Sequence, residues 1–436
     1  MSVKQQLLDK INRGEAKLAV IGAGYVGLPL AVEFAAAGIE TIALDVDPEK
    51  VAMLNRGQSY IGDIPTEQLA PLVESGKLRA TTSYEDLQEV DAISICVPTP
   101  LRQKSDPDMS YINAATDAIA EIAHSGLLVV LESTTYPGTT YEVIQPRLTQ
   151  GGLKVGEDIF IVFSPERIDP GNETYLVRNT PKVIGGVTPA CTEVAAALYS
   201  HAIDTIVPVS SPTAAEMAKL LENTFRAVNI GLVNEMALMC DRLGVDVWEV
   251  IQAAATKPFG FMPFYPGPGL GGHCIPVDPH YLSWKLKTLN YTARFIELAS
   301  EINTNMPLYV LSKITDALND EGKAVRGSRV VVLGVAYKPD VNDVRESPAI
   351  DVIELLRQKG ADVVFHDPHV SRLRVDGQEL SCTPYSTDLL AGADCVVVLT
   401  HHRAYDWSDI AAHSPLIVDT RHVITPSENG PRVVTL

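Results

Sequence analysis

Lys17-Leu-Ala-Val-Ile-Gly22-Ala-Gly24-Tyr-Val-Gly27-Leu-Pro-Leu-Ala decides the fold of the first half of the chain. The apolar run 17–21 has the length of a buried strand, and an apolar helical pattern follows from Leu28. In such a strand–turn–helix, Gly22 permits the tight turn, Gly24 lets the backbone approach a pyrophosphate, and Gly27 lets helix pack close to strand. The pyrophosphate then sits at the positive end of the helix, against the amides around Tyr25 and Val26. Asp45 closes the next apolar run, eighteen residues after Gly27. A carboxylate there accepts hydrogen bonds from ribose hydroxyls and repels a 2′-phosphate. Val46 and Asp47 supply no arginine for such a phosphate, so NAD is expected rather than NADP.

Outward from this stretch, short apolar runs alternate with amphipathic ones through about residue 205, the pattern of βαβ units on a parallel sheet. Strands are expected at 17–21, 40–44, 92–97, 127–131, 159–163 and 203–207. From 213 to 243 a 3.6-residue period predicts one long helix, and a second helical run begins near 292. Between them lies the Gly/Pro-rich stretch 258–279. From about 327 the βαβ pattern returns, with strands at 329–333, 362–366, 395–400 and 416–419. The expected fold is α/β, with two Rossmann-like doubly wound parallel sheets joined by a central helical dimerisation segment. The expected domains are 1–208 for the cofactor, 209–315 for the helical segment and 316–436 as a second α/β lobe.

With 436 residues the chain exceeds one core of about 150. A net charge of −19 disfavours nucleic acid and anionic membranes as partners, while a local cluster of Lys and Arg can still hold an anionic small molecule. The first residues lack the apolar core of a secretory signal, and no apolar run approaches the ~20 residues that span a bilayer. A cytoplasmic protein is expected. The six cysteines show no CxxC spacing, which argues against a disulfide framework or a structural zinc site. His273, Cys274 and His280 match no usual zinc spacing either, so no metal is expected.

Phe264-Tyr-Pro-Gly-Pro-Gly-Leu-Gly-Gly-His-Cys274-Ile-Pro-Val-Asp278 is too rich in Gly and Pro for helix or strand. It suits close approach of backbone to a ligand, and Cys274 stands among amides able to stabilise a thiolate or an oxyanion. A Gly/Pro connector with an incidental cysteine would have the same composition. On the long helix, Lys219, Asn223 and Arg226 recur at i, i+4 and i+7 and share a face, which either lines a polar cavity or faces solvent. Phe264 and Tyr265, with Phe261, would stack on a base or simply pack. His401-His402 reads as surface or strand-end decoration, and Cys96 as core.

Taken together, Gly22-x-Gly24-x-x-Gly27, Glu132-Ser-Thr134-Thr-Tyr-Pro-Gly, Ser164-Pro-Glu166-Arg167, Lys219-Leu-Leu-Glu-Asn223, Gly271-Gly-His-Cys274 and Lys338-Pro-x5-Arg345-Glu-Ser-Pro resemble the UDP-glucose/GDP-mannose dehydrogenase family, in its order and over residues 17–421. The details at 132–140, 253–261 and 266–276 are most similar to members that oxidise UDP-N-acetylglucosamine at C6. The resemblance implies that Cys274 is the nucleophile, that Lys219 and Asn223 hold an oxyanion and the sugar, and that Asp278 and Glu166 position the water that cleaves a thioester. It implies NAD contacts from Thr99, Thr134, Asp45 and Arg345, with Lys50 at the adenosine ribose. Arg167, Phe264, Tyr265, Gly271 and Lys338 would meet the UDP-sugar. A homodimer or higher homo-oligomer is implied, built on the helical segment. The family usually has Lys three residues after the nucleophile, where this chain has Val277. UDP-N-acetylmannosamine and UDP-glucose are the alternative sugars. A β-hydroxyacid dehydrogenase needs neither Cys274 nor residues 327–436, and a non-catalytic NAD-binding scaffold needs no thiol.

Overall fold

The computed structural model describes residues 1–101, 106–169, 171–172, 174–272, 274–427 and 430–436. These residues form two compact units. One comprises Met1–Glu222 and His280–Asn290, the other Asn223–Pro279 and Tyr291–Leu436.

The first unit is built on eight strands: β1 (Lys17–Ile21), β2 (Glu40–Leu44), β3 (Leu78–Thr81), β4 (Ala92–Ile95), β5 (Leu127–Leu131), β6 (Ile159–Phe163), β7 (Lys182–Gly186) and β8 (Ile206–Val209). Their order is β3-β2-β1-β4-β5-β6-β7-β8. All neighbours are parallel except β6 and β7. Helices cover both faces, so strands such as Leu127–Leu131 and Ile159–Phe163 are buried throughout and read as continuous apolar runs. The sequence reversal of order falls between β1 and β4, the place where open parallel sheets bind ligands beyond their carboxyl ends. Two strands of this unit went unread in the sequence, Leu78–Thr81 and the glycine-ended Lys182–Gly186, and the strand expected at 203–207 lies instead at Ile206–Val209.

The second unit holds a five-stranded parallel sheet of β9 (Arg329–Leu333), β10 (Asp362–His366), β13 (Cys395–Val398), β14 (Leu416–Asp419) and β15 (Arg432–Thr435), ordered β10-β9-β13-β14-β15. A hairpin of β11 (Arg372–Val375) and β12 (Gln378–Ser381) interrupts it. The long helix Pro212–Leu243 and the helix Arg294–Asp320 approach closely where Gly231 has no side chain, since a Cβ there would lie 3.2 Å from Cα of Ala299. A buried amide pair fixes their register: Asn234 Nδ2 donates to Asn303 Oδ1 at 2.8 Å. The second helix runs past residue 315, the boundary expected from sequence. No helix of the described residues is long and apolar enough to cross a membrane.

Beneath the first sheet's ligand edge lies a buried ion pair. Lys182 Nζ meets Glu132 Oε2 at 2.5 Å and donates to the Pro165 carbonyl at 3.2 Å. Tyr199 donates to the other Glu132 oxygen at 2.5 Å. One cation thus ties the exit of β5 to the exit of β6. Lys182→Met leaves a buried carboxylate without its counter-charge and should destabilise this unit by about 3–5 kcal/mol in urea unfolding; an unchanged midpoint would mean that the pair contributes nothing net.

Candidate active site

The strands of the first sheet end in a row of the residues singled out from sequence. Gly22 follows β1 in a left-handed conformation (φ +95°), and Asp45 follows β2. Asp45 Oδ2 accepts the Ala23 N–H and Oδ1 the Asp47 N–H, both at 3.0 Å, and Lys50 Nζ stands 3.8 Å away. Thr99 follows β4 and Thr134 follows β5; Ser133 binds the Ile95 and Val97 carbonyls, joining the two exits. Tyr281 donates to the Thr99 carbonyl at 3.0 Å.

The three glycines are required for different reasons. A Cβ on Gly27 would lie 1.9 Å from the Gly22 carbonyl oxygen, and one on Gly22 would lie 2.6 Å from that of Cys96. These two are fixed by packing. A Cβ on Gly24 would meet nothing within 4 Å, so the protein itself leaves that space open. The helix Gly27–Ala36 has no side-chain cap on its first amides. An open backbone face before an uncapped helix start, beside an ordered carboxylate, fits the pyrophosphate and ribose of NAD.

Glu166 follows β6. Lys219, on the long helix, is buried and donates from Nζ to the Glu166 carbonyl at 2.7 Å and to its Oε2 at 3.2 Å. The Ile168 N–H binds the other carboxylate oxygen. Arg167 points elsewhere: it donates to the Pro181 carbonyl at 2.8 Å and pairs with Glu222. Glu216, three residues before Lys219, escaped notice in the sequence. It accepts from Gly138 N, Thr140 N and Thr140 Oγ1, so it ties the helix to the segment that carries Thr134. Burial pushes its carboxyl above the ordinary range.

In the second unit, the Cys274 carbonyl accepts the Asp278 N–H at 2.8 Å and the Val277 N–H at 3.2 Å, placing the thiol one turn before the helix Asp278–Thr288. A helix start favours a thiolate. Asp278 is 2% exposed, and Asn223 Nδ2 donates to its Oδ2 at 2.5 Å. The loop before the cysteine is seated by its glycines. A Cβ on Gly271 or Gly272 would come within 2.8 Å of Tyr337, and Gly272 N donates to the Arg345 carbonyl at 3.1 Å. Gly267 N donates to Asn234 Oδ1 at 3.0 Å. His273 lies outside the described residues.

Four of the other five thiols are buried. No disulfide joins the six cysteines. Burial raises the Cys96 thiol well above its ordinary value and pushes Cys395 up to about 12. Cys274 is half-buried, as is Cys382.

The aromatic residues of the loop pack on protein. Tyr265 stacks on Trp248 (centroids 5.9 Å apart), whose ring also stacks on His422 (5.0 Å), and Phe264 meets Phe225 edge-on at 5.7 Å. Lys338 lies over the Tyr337 ring, 5.9 Å from its centroid. The Arg345 guanidinium folds back on Asp343, at 2.9 and 2.6 Å. Arg421, after β14, was not singled out from the sequence. Its NH1 would lie 2.6 Å from a Cβ on Gly267, and Nε donates to the Leu399 carbonyl at 2.8 Å. Among the described residues neither terminal nitrogen has a hydrogen-bond partner, and burial lowers this guanidinium to about 10. A basic residue just past a parallel strand was the available signal. Asp340, His369 and His402 bring ligand atoms within 4.8 Å of one another, yet both ring nitrogens of His402 are engaged by protein groups.

Family models of the UDP-glucose/GDP-mannose dehydrogenases match three segments of the chain: the NAD binding domain at residues 16–203, the central domain at 213–305 and the UDP binding domain at 331–426. The chain belongs to this family. It is an NAD-dependent dehydrogenase with a UDP-sugar as its class of substrate. UDP-N-acetyl-D-mannosamine dehydrogenase of Pyrococcus horikoshii is 35% identical over 94% of this chain and 96% of that one. UDP-N-acetyl-D-glucosamine 6-dehydrogenase of Pseudomonas aeruginosa is 36% identical over 90% of this chain and 92% of that one. The solved structure of the Pyrococcus horikoshii UDP-D-ManNAc dehydrogenase superposes with a TM-score of 0.88 at 34% identity, covering 96% of this chain and 98% of that one.

The glycines separate folding from cofactor binding. Gly24→Ala should fold normally and weaken NAD binding by about tenfold or more, because its methyl occupies pyrophosphate space. Gly27→Ala should lower the melting temperature as well. Calorimetric titration with NADH beside thermal unfolding checks both; undiminished NADH affinity in Gly24→Ala would remove the pyrophosphate from this turn.

Proposed function

We propose that this dehydrogenase oxidises the C6 alcohol of UDP-N-acetylglucosamine to the carboxylate by way of a thioester on Cys274. The observation that carries the reading is the half-buried Cys274, one turn before a helix that opens on the buried Asp278 carboxylate held by Asn223. Bound NAD supplies the acceptor for a hydride from C6, in each of two successive oxidations. Two oxidations at one carbon require the aldehyde to be held between them, and a thiolate holds it as a thiohemiacetal. Loss of hydride from that carbon leaves the thioester, and water then releases the acid and restores the thiol.

Lys219 and Asn223, one turn apart on the long helix, would donate to the oxyanion that forms at C6. Asp278 and Glu166 would orient the hydrolytic water and take its proton. Asp45, Thr99, Thr134 and the amides from Gly22 to Gly27 would hold NAD, with Lys50 beside the ribose, and Arg345 is a further proposed NAD contact. Gly271 and Lys338 would meet the substrate, and the incompletely bonded Arg421 guanidinium suits its phosphates. Arg167, Phe264 and Tyr265 enter only if ligand displaces their present partners.

UDP-N-acetylmannosamine is the second reading. It is favoured by the mannosamine dehydrogenases, at 35–36% identity as near as the glucosamine enzyme. A homodimer is supported by the exposed apolar positions Leu221, Phe225, Leu232, Met239 and Leu243, which recur at helical spacing along the long helix. Six unbridged cysteines suit the reducing cytoplasm.

NADH formation with UDP-GlcNAc, UDP-ManNAc, UDP-glucose and UDP-GalNAc tests the substrate. The expected result is the highest kcat/KM for UDP-GlcNAc, two NADH per sugar, and a fall in steady-state rate of about a thousandfold or more in Cys274→Ser. Preference for UDP-ManNAc would establish the second reading. One NADH per sugar, or a fully active serine variant, would overturn the covalent route.

A further inference from the structure

The turn after β9, residues 334–340, has its polar groups held from both sides. Since β9 lies between β10 and β13 and all three are parallel, the exits of β10 and β13 flank its own. From the β10 side, the Gly334 N–H binds the His366 carbonyl at 3.0 Å. Asp367 Oδ2 accepts the N–H groups of Val335 (2.7 Å) and Ala336 (3.2 Å), while Oδ1 accepts those of His369 and Val370. From the β13 side, Thr400 Oγ1 donates to the Ala336 carbonyl at 2.6 Å.

His402 joins the two sides. His401-His402 reads as surface or strand-end decoration, but His402, just past the end of β13, is fully buried. Its Nε2 lies 3.0 Å from Asp367 Oδ2, and its Nδ1 accepts the Asp340 N–H at 2.9 Å. That acceptance fixes the tautomer: Nε2 carries the hydrogen and donates it to Asp367. Asp340 needs holding, because it has a left-handed backbone (φ +61°) with a side chain to accommodate. Its carboxylate is gripped as well, by Arg403 N at 2.9 Å and Arg403 Nε at 2.6 Å.

What this turn carries makes the clamp consequential. Tyr337 fills the space beside Gly271 and Gly272, and so forms the wall on which the Cys274 loop rests. Lys338 is the next residue.

We propose that Asp367 and His402 are positioning residues for UDP-sugar binding, fixing the 334–340 turn that presents Lys338 and supports the nucleophile loop. The proposal rests on the reading of this lobe as the seat of UDP. His402 acts through Asp367 and Asp340 and touches no substrate itself. His402→Leu removes both bonds; His402→Gln keeps a donor toward Asp367.

The test is calorimetric titration of the full-length wild type, His402→Leu and His402→Gln with UDP and, separately, with NADH. Loss of a buried hydrogen-bonded link should weaken UDP binding by about tenfold in His402→Leu. NADH affinity should change by less than about twofold, and His402→Gln should recover most of the UDP affinity. Equal UDP affinity in all three proteins would overturn the proposal. So would parallel loss of UDP and NADH binding, which marks a merely structural role. Failure of the wild type to bind UDP would instead overturn the underlying reading of the lobe, and the proposal with it.

Discussion

Parallel pairing makes strands finish on the same edge of a sheet, and the residues proposed for the site are distributed accordingly. The exits of β1, β2, β4, β5 and β6 carry Gly22, Asp45, Thr99, Thr134 and Glu166. The exits of β9, β10, β13 and β14 carry the 334–340 turn, Asp367, His402 and Arg421. Residues far apart in sequence become neighbours because the hydrogen-bond ladder has one direction. Buried groups then lock the exits to each other: Lys182 between those of β5 and β6, and Asp367 with His402 between those of β10, β9 and β13. A free loop loses orientation to thermal motion, whereas a strand exit bonded to its neighbours is held against it.

The loop that leads to Cys274 is held by a second means, the absence of side chains. Gly271 and Gly272 admit the Tyr337 ring, Gly267 admits the Arg421 guanidinium, and the amide of Asn234 fixes Gly267 from the helix below. Rigidity comes from close packing of backbone against rings and cations rather than from regular structure. Such a loop can expose amides to a reactant at no reorganisation cost, the condition that oxyanion stabilisation needs.

Much of this was legible in the sequence because its signals are local. The run from Lys17 to Gly27 names its own strand, turn and helix, and a 3.6-residue period announces the helix that bears Lys219 and Asn223. What escaped depends on tertiary position. Lys182–Gly186 opens on a lysine and ends in two glycines, so it does not read as a strand until β6 and β8 flank it. His402 looks like any strand-end histidine until Asp367 arrives from another exit. Arg421 is one arginine among many until the loop closes over it. Phe264 and Tyr265 carry the composition of a ligand-stacking tip, and the rings they meet, Phe225 and Trp248, are set by tertiary position rather than by spacing.

The central claim is that the sugar becomes an acyl group on Cys274. Its most direct test is the intact mass of an Asp278→Asn variant, in which hydrolysis should be slowed, quenched during turnover with NAD and UDP-N-acetylglucosamine and followed by peptide mapping. The account predicts a mass increment equal to the UDP-sugar acyl group, located on the peptide containing Cys274 and removed by hydroxylamine. An unmodified thiol in a variant that still delivers two NADH per sugar would contradict it.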